Sequence, residues 1–272
     1  MNDDDKEYQR AEHERDLARI AGFRLMDDDF MSVVFQDEND CTSTLLRVIM
    51  NQPDLAVHHV VVQYELKNLQ RRSIRLDIHA YVGAREYDIE VQRADKGASA
   101  KRARYHSSLM DANALRAGQD FDKLTDSCVI FITEHDPFGE GEPIYKVERC
   151  ITPSNRPFND GTTILYVNST IQDDTPLGRL MHDFYCTNPD DMYYQNLATR
   201  ARYFKQDDEG VKNMCKVIED MRNETAKRVK TEDAMEMLKE KLPITQVARI
   251  TKLSIDYIRQ MAETRNIPIA EQ

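Results

Sequence analysis

Apolar and polar residues alternate along three stretches in the first half of the chain, and this pattern predicts β-strands. Val57–Leu66 is the first of them. Arg75–Tyr81 and Tyr87–Gln92 follow, both rich in Ile, Val, Leu and Tyr, with Gly83–Glu86 as the turn between them. Cys128–Thr133 is a continuous apolar run, which is typical of a central strand buried on both faces.

Helical periodicity lies on either side of these strands. Asn39–Asn51 carries an apolar face, with Asp40 or Thr42 as its cap, and a second helix is expected from about Ala98 to Leu115. The order helix, three strands, helix, strand predicts an α/β fold, a mixed sheet flanked by helices. Further elements are expected at Leu25–Phe35 (a loop or short helix), Ile144–Val147 and Ile164–Val167 (strands), and Leu177–Tyr185, Met192–Phe204 and Val211–Val229 (helices).

Length and composition fit one large domain with a smaller appendage. The chain has 272 residues, of which 40% are hydrophobic, enough to bury a core. We expect an acidic N-terminal segment over 1–21, the α/β domain over 22–205 and a helical C-terminal region over 206–272. No apolar run approaches the roughly 20 residues of a membrane helix, and the charged N-terminus is no signal peptide. The five scattered cysteines suit the reducing cytoplasm, and neither they nor the histidines show the spacing of a metal site.

The C-terminal region is expected to contain two short helices around a turn at 244–263, with Ser254 capping the second. This pair is either a helix-turn-helix, with Tyr257, Arg259 and Gln260 pointing outward into a major groove, or a small interaction or dimerisation module.

The net charge of −11 argues against a simple nucleic-acid binder, which is usually basic. The distribution of charge changes this picture. Residues 67–75 hold four basic side chains and no acid, and residues 93–104 hold five against one. Both segments flank the predicted hairpin, so positive charge is concentrated there while acids lie in the tails.

Two carboxylates on this hairpin suggest a metal site. Side chains alternate along a strand, so Asp77 shares a face with Arg75 and His79, and Asp88, Glu90 and Gln92 share a face of the next strand. Paired strands would bring Asp77 and Glu90 side by side, where they repel each other unless a cation lies between them. Oxygen ligands favour Mg²⁺ or Mn²⁺. Two solvated acids on an outer sheet face are the alternative.

Five blocks of sequence carry a resemblance to a known family. They are FRLMDDDFMSVVF (23–35), SIRLDIHAY (73–81), YDIEVQRADKGASAKRARYHSSLMD (87–111), VIFITEHDPFG (129–139) and TPLGRLMHDFYCTNPDDMYY (175–194). In these blocks the chain resembles the PD-(D/E)XK nuclease family transposases, which are related to recombination-promoting nucleases. The resemblance extends roughly from Gly22 to Arg222.

The resemblance implies the αβββαβ core of restriction-endonuclease-like proteins and Mg²⁺-dependent hydrolysis of DNA, with Mn²⁺ able to substitute. Asp77 and Glu90 would be the metal ligands, with the Val91 backbone carbonyl as a further one. Gln92 stands where the motif has lysine, and Leu76 where it has proline.

Glutamine at position 92 can orient a water but carries no charge. Lys101, Arg104, Tyr105 and Ser108 fall on one face of the following helix, so Lys101 or Arg104 could supply the missing cation. A basic helix exposed to solvent is the alternative. Near the first helix, Asp40 or Glu38 is a candidate third carboxylate. The residues expected to contact DNA are Arg71, Arg72, Arg75, Arg93, Lys101, Arg102, Arg104 and Tyr105.

Three functions stay open from the sequence. The first is a metal-dependent DNA endonuclease, in which Asp77, Glu90, Gln92 and Lys101 are catalytic. The second is a nuclease-fold protein that binds DNA but has lost cleavage through the change from lysine to glutamine. The third is a protein-interaction scaffold. DNA is the expected partner, and a homodimer is a further expectation.

Overall fold

The core elements follow the expected order of a helix, three strands, a helix and a strand. The computed structural model describes residues 3–68 and 71–270, and its backbone divides into two compact units, 1–211 and 212–272. The strands are β1 (His59–Leu66), β2 (Ile74–Val82), β3 (Arg85–Gln92), β4 (Ser127–Thr133), β5 (Ile144–Val147), β6 (Cys150–Ile151), β7 (Arg156–Pro157) and β8 (Thr162–Asn168). The helices are α1 (Asp3–Gly22), α2 (Asp28–Phe35), α3 (Asn39–Met50), α4 (Ala100–Ala114), α5 (Pro176–Tyr185), α6 (Gln195–Gln206), α7 (Asp208–Lys239), α8 (Ile244–Thr251) and α9 (Ile255–Thr264).

Six of the strands form one mixed sheet in the order β1-β2-β3-β4-β8-β5. β1, β2 and β3 are antiparallel, β3, β4 and β8 are parallel, and β5 runs antiparallel to β8. β4 is buried along its whole length, as its apolar sequence predicts for a strand between two parallel neighbours. α4 packs on β1, β4 and β8, and α2 packs on β1 and β2. The expected α/β fold with helices flanking a mixed sheet is confirmed.

The hairpin of β2 and β3 differs from the expectation at its turn. β3 begins at Arg85, so Arg85 and Glu86, expected in the turn, are paired with β2. Only Gly83 and Ala84 remain to connect the strands. Gly83 has φ 59°, a left-handed conformation that glycine adopts without a steric penalty.

The start of α3 also differs from the sequence-based expectation. α3 begins at Asn39 with Glu38 at the N-cap position, so neither Asp40 nor Thr42 is the cap. The Thr42 hydroxyl instead donates to the Glu38 carbonyl at 2.9 Å. Leu25–Phe35, left open as a loop or a short helix, contains α2.

The second unit, 212–272, is helical, as expected. α7 continues to Lys239, well past the expected end at Val229. Ser254 caps α9 by accepting a hydrogen bond from the Tyr257 N–H at 3.3 Å, as expected. Tyr257 packs against α7, with its ring under the Lys227 ammonium, whereas Arg259 is exposed. The small core consists of Ala234, Met235, Leu238, Ile244, Val247, Ile258 and Ala262.

The expected boundary at residue 205 and the helix-turn-helix role of 244–263 stay predictions. Within residues 3–68 and 71–270, no helix has the length and apolar character to cross a membrane.

Candidate metal centre

Asp77 and Glu90 meet where β2 and β3 separate. The backbone pairing of the two strands ends at Ile78 and Ile89. Beyond that pair, side chains bridge the strands: the Asp77 N–H donates to Glu90 Oε1 at 3.1 Å, and the Val91 N–H donates to Asp77 Oδ2 at 3.2 Å. Asp77 and Glu90 therefore lie together on adjacent strands, as expected, and each carboxylate accepts a backbone N–H from the other strand.

Asp88 adds a third buried carboxyl group that was not among the expected ligands. It is fully buried, as is Glu90, and its Oδ2 lies 2.8 Å from His106 Nδ1 on α4. Ligand atoms of Asp88, Glu90 and His106 all lie within 4.8 Å of one another. Asp88 Oδ1 has no hydrogen-bond partner among the residues that the structure describes. A proton shared with Glu90, a buried water or a bound cation would satisfy this oxygen.

Hydrogen bonds fix the tautomer of His106. The Arg102 Nε–H can only donate, and it lies 3.3 Å from His106 Nε2, so that nitrogen accepts. Nδ1 therefore carries the proton and donates to Asp88. Burial, the largest cause, lowers the pKa of His106, together with the charge of Arg102 and against the charge of Glu90. A neutral His106 thus holds Asp88 in place.

Arg102 supplies a cation beside Gln92. Its Nη2 donates to Glu90 Oε2 at 2.7 Å and its Nη1 to Gln92 Oε1 at 3.1 Å, while Gln92 Nε2 donates to Glu90 Oε2 at 3.3 Å. From the sequence, Lys101 or Arg104 was expected to be this cation, and Arg102 was expected only to contact DNA. Lys101, the residue before Arg102 on α4, is exposed. A Cβ at Gly97 would lie 2.0 Å from Gln92 Oε1, so this amide is closely packed.

The carboxyl groups carry more negative charge than their surroundings can neutralise. Burial first, then Glu90 and Asp28, raise the pKa of Asp77 to about 8. Burial first, then Asp88, raise the pKa of Glu90 to about 8, against the opposing charge of Arg102. Burial first, then Asp77, raise the pKa of Asp88 well above its usual range. A divalent cation would replace the protons that these groups otherwise hold, and oxygen-rich ligands suit a hard ion.

A cavity of about 720 Å³ opens beside these carboxyl groups. Of the expected ligands and catalytic residues, Asp77, Val91, Gln92 and Lys101 line it, whereas Glu90 is buried behind the lining, as is Asp88. Tyr105 also lines it and donates its hydroxyl to the Arg72 carbonyl at 2.5 Å. The basic side chains in the lining come from both flanking segments and are Arg72, Arg75, Lys101, Arg102 and Arg104.

Three other candidate residues are placed elsewhere. Arg93 forms ion pairs with Asp27 at 2.8 Å and Glu134 at 3.4 Å, and does not line the described cavity. Arg71 is exposed and is also outside that lining. Asp40 lies in the first turn of α3, again outside it.

The acid that does line the cavity from a helix is Asp28, on α2. Gln63 Nε2 donates to its Oδ1 at 3.1 Å. Asp28 belongs to the block 23–35 that carries the family resemblance. The sequence alone does not distinguish it from the acids on either side of it.

A second group of ligand types lies at the end of α5. His182 and Cys186 are four residues apart, with Sγ 3.4 Å from Nδ1, so the expectation that cysteine and histidine share no metal spacing is wrong here. Asp183 completes the group, but its two oxygens already accept the N–H groups of Tyr193 and Tyr194 at 2.8 Å. Asp183 therefore braces the loop after α5.

Comparisons of the chain with models of protein families, with curated proteins and with solved structures found no match.

Proposed function

We propose that the protein is a divalent-metal-dependent endonuclease that hydrolyses phosphodiester bonds in DNA, with Mg²⁺ as its metal and Mn²⁺ as a substitute. The main support is the group of three buried carboxyls, Asp77, Asp88 and Glu90, beside a cavity with five basic side chains. Metal-dependent hydrolysis of a phosphodiester needs ligands for the metal and cations that hold the phosphates, and side chains of both kinds lie around this site.

The identity of the fold as a PD-(D/E)XK core is part of this proposal. It is supported by the order α3, β1, β2, β3, α4, β4 and by carboxyl groups at the point where β2 and β3 separate. The resemblance in sequence adds the link to transposition or recombination of mobile DNA, and the scattered cysteines favour an action in the cytoplasm.

The carboxyl groups would hold the metal. Asp77, Asp88 and Glu90 offer the oxygen atoms that Mg²⁺ prefers, and the Val91 carbonyl is a further candidate at the same cavity. The Asp88 Oδ1 atom, which has no described hydrogen-bond partner, supports a cation at this group. Bound there, Mg²⁺ would supply a water of lowered pKa and positive charge beside the scissile phosphate.

The remaining side chains would position the water and the metal ligands and neutralise charge on the phosphate. Arg102 holds Glu90 and Gln92 and presents its guanidinium to the cavity, where it can offset charge on the phosphate. The Gln92 amide can orient a water, as a lysine at this position would. His106 keeps Asp88 turned toward Glu90. Arg72, Arg75 and Arg104 would bind neighbouring phosphates along the strand.

A DNA-binding protein without cleavage activity is the second candidate. The observation that favours it is the Arg102–Glu90 ion pair of 2.7 Å, since it neutralises one carboxylate without a metal. Such a protein would keep the basic cavity and bind DNA equally well with or without Mg²⁺.

Incubation of the purified chain with supercoiled plasmid tests both candidates. The endonuclease should nick plasmid in Mg²⁺ or Mn²⁺ but not in EDTA, and Asp77→Asn should abolish nicking. Asp54→Asn, which removes an exposed acid outside the cavity, is the matched control and should cut like the wild type. If the wild-type chain bound plasmid but nicked it in neither metal, the second candidate would be established. If it neither bound nor nicked plasmid, both candidates would be refuted.

A further inference from the structure

A second cavity, of about 390 Å³, adjoins the candidate metal centre. Gln92 lines both cavities, and the start of α4 separates them: Ser99 and Ala100 line the second, while Lys101 and Arg102 line the first. The first cavity is rich in arginine. Among the described residues that line the second, none is lysine or arginine, and two are the aromatic residues Phe138 and Tyr166.

The loop that carries Phe138 is held by one carboxylate. Asp136 accepts hydrogen bonds from the N–H groups of Phe138 at 3.0 Å, Gly139 at 2.9 Å and Gly141 at 2.8 Å. It also accepts the Tyr145 hydroxyl at 2.8 Å. These bonds outweigh desolvation, the largest single effect, and lower the pKa of Asp136 to about 2. The loop is therefore a preformed structure at neutral pH.

Phe138 is fixed in place and yet not buried. Its ring meets Tyr145 and Tyr166 edge-on, with centroid distances of 4.8 Å and 5.1 Å. Even so, 48% of the residue is exposed. A half-exposed ring that is anchored by its neighbours leaves an apolar face open beside the cavity, against which a planar ligand can pack.

We infer that the second cavity binds one unpaired nucleobase of the DNA strand whose phosphate lies in the basic cavity, with the base stacked on Phe138. The inference rests on the proposed function and names how the same site holds its substrate. A nucleobase is flat, aromatic and uncharged, which matches a cavity with two aromatic residues and no cation among its described lining residues. The one carboxylate in the lining, Asp136, is already engaged by the N–H groups of its loop and the Tyr145 hydroxyl. Ser99 and His135 also line the cavity and offer polar atoms to the edge of the base.

The two cavities would then divide a nucleotide between them. The basic cavity takes the phosphate, the aromatic cavity takes the base, and Gln92 lies at the junction. A base inside a duplex is already stacked on its neighbours, so this arrangement favours single-stranded or locally opened DNA over intact duplex. The size of the second cavity is within the range of sites that bind small ligands, roughly 300–1,000 Å³.

Fluorescence of 2-aminopurine, an adenine analogue that is quenched by stacking, provides the test. Short thymidine oligonucleotides, each with one 2-aminopurine at successive positions, would be titrated with the full chain in EDTA, which prevents cleavage. At one position the wild type should quench the fluorescence. Phe138→Leu, which keeps apolar bulk, and Phe138→Ala should both lose that quenching and bind about tenfold more weakly. Phe121→Ala removes a ring that is 84% exposed outside both cavities and should behave like the wild type.

The possible outcomes distinguish a failure of the base site from a failure of the proposed function. If the wild type binds and Arg75→Ala weakens binding, but the Phe138 variants keep full affinity and quenching, the base site is overturned and the DNA site stands. If the wild type binds no oligonucleotide and no plasmid, both are overturned. Equal losses in Phe121→Ala would also overturn the base site, since they would show a general effect of removing aromatic side chains.

Discussion

The two ends of the β2–β3 hairpin bury charge in different ways. At the turn end, His79 Nε2 lies 2.5 Å from Glu86 Oε1, and both residues are buried. Tyr64 stacks on the imidazole with a centroid distance of 4.7 Å, and Tyr81 meets it edge-on. At the open end, Asp77, Asp88 and Glu90 are also buried, but acids outnumber bases and one oxygen has no described partner.

This difference shows that burial of a charged group alone does not mark a functional site. At the turn end, His79 is the hydrogen-bond partner of Glu86, and two tyrosine rings pack against this pair. The chain satisfies the open end only in part, through Arg102 and the backbone N–H groups of Asp77 and Val91. The remaining imbalance, visible as raised carboxyl pKa values, is what a cation from solution would remove.

Replacing one glutamate at each end is the strongest test of this contrast. Glu90→Gln removes a proposed ligand and should lower the rate of plasmid nicking roughly a thousandfold, as expected when several kcal/mol of metal-based stabilisation is lost. Glu86→Gln should leave the rate within about threefold, because a neutral amide can still bond His79. Rates would be compared at saturating Mg²⁺. Equal losses in both variants would place the whole hairpin, rather than its open end, in the site.

Stability should respond in the opposite order. Glu86→Ala leaves a buried histidine without its partner and should lower the free energy of unfolding by about 3–5 kcal/mol. Asp88→Asn in EDTA should cost little or stabilise, since it removes one of the crowded charges and its amide can donate to Glu90. Denaturant titration of both variants would measure the difference. A large destabilisation by Asp88→Asn would indicate that the carboxyl cluster is already balanced without a metal.

The pH dependence of stability should come from the open end. Asp77 and Glu90 have pKa values raised to about 8 in the folded protein, against ordinary carboxyl values near ~4 in the unfolded chain. Between these values the folded state binds more protons, so the free energy of unfolding in EDTA should fall as pH rises. The slope would be up to about 1.4 kcal/mol per pH unit for each group.

Two controls identify the source of that slope. Mg²⁺ or Mn²⁺ should flatten it by displacing the protons, and Asp77→Asn should reduce it in EDTA. Chemical denaturation at intervals between pH 4 and pH 8 would record both effects. A slope that is the same with and without metal, and in Asp77→Asn, would mean that these carboxyls do not bind the ion.

Local sequence patterns predicted the frame of the site but not all of its members. Alternation and the apolar run of β4 predicted the strands, and with them the meeting of Asp77 and Glu90. Asp88 shares the Glu90 face, so its position was visible in the sequence. Its burial was not, because that depends on how α4 docks and brings His106 against it.

The choice between Lys101 and Arg102 shows the same limit. Successive residues of a helix point about 100° apart. The sequence of a helix therefore identifies the side chains that face the site only once the packing of the helix on the sheet is known. The amphipathic signal of α4 selected the face of Lys101, Arg104 and Tyr105. The packed structure instead places Arg102 on Glu90 and Gln92. Likewise Asp28, rather than Asp40, lines the cavity, which follows from the packing of α2 on β1 and β2.

The smallest expected effect separates these two neighbouring cations on α4. Arg102→Ala removes the guanidinium that contacts Glu90 and Gln92, and should lower nicking about tenfold at saturating plasmid, the loss expected for one charge-assisted hydrogen bond. Lys101→Ala removes an exposed cation from the cavity wall and should weaken binding of plasmid and reduce its salt dependence, with the saturated rate changed less than about threefold. Measuring rate and binding separately distinguishes the two roles. If Lys101→Ala lowered the saturated rate more than Arg102→Ala did, Lys101 would be the cation of the site after all. The Arg102–Glu90 pair would then resemble His79–Glu86: a charge pair that the chain has neutralised for its own stability.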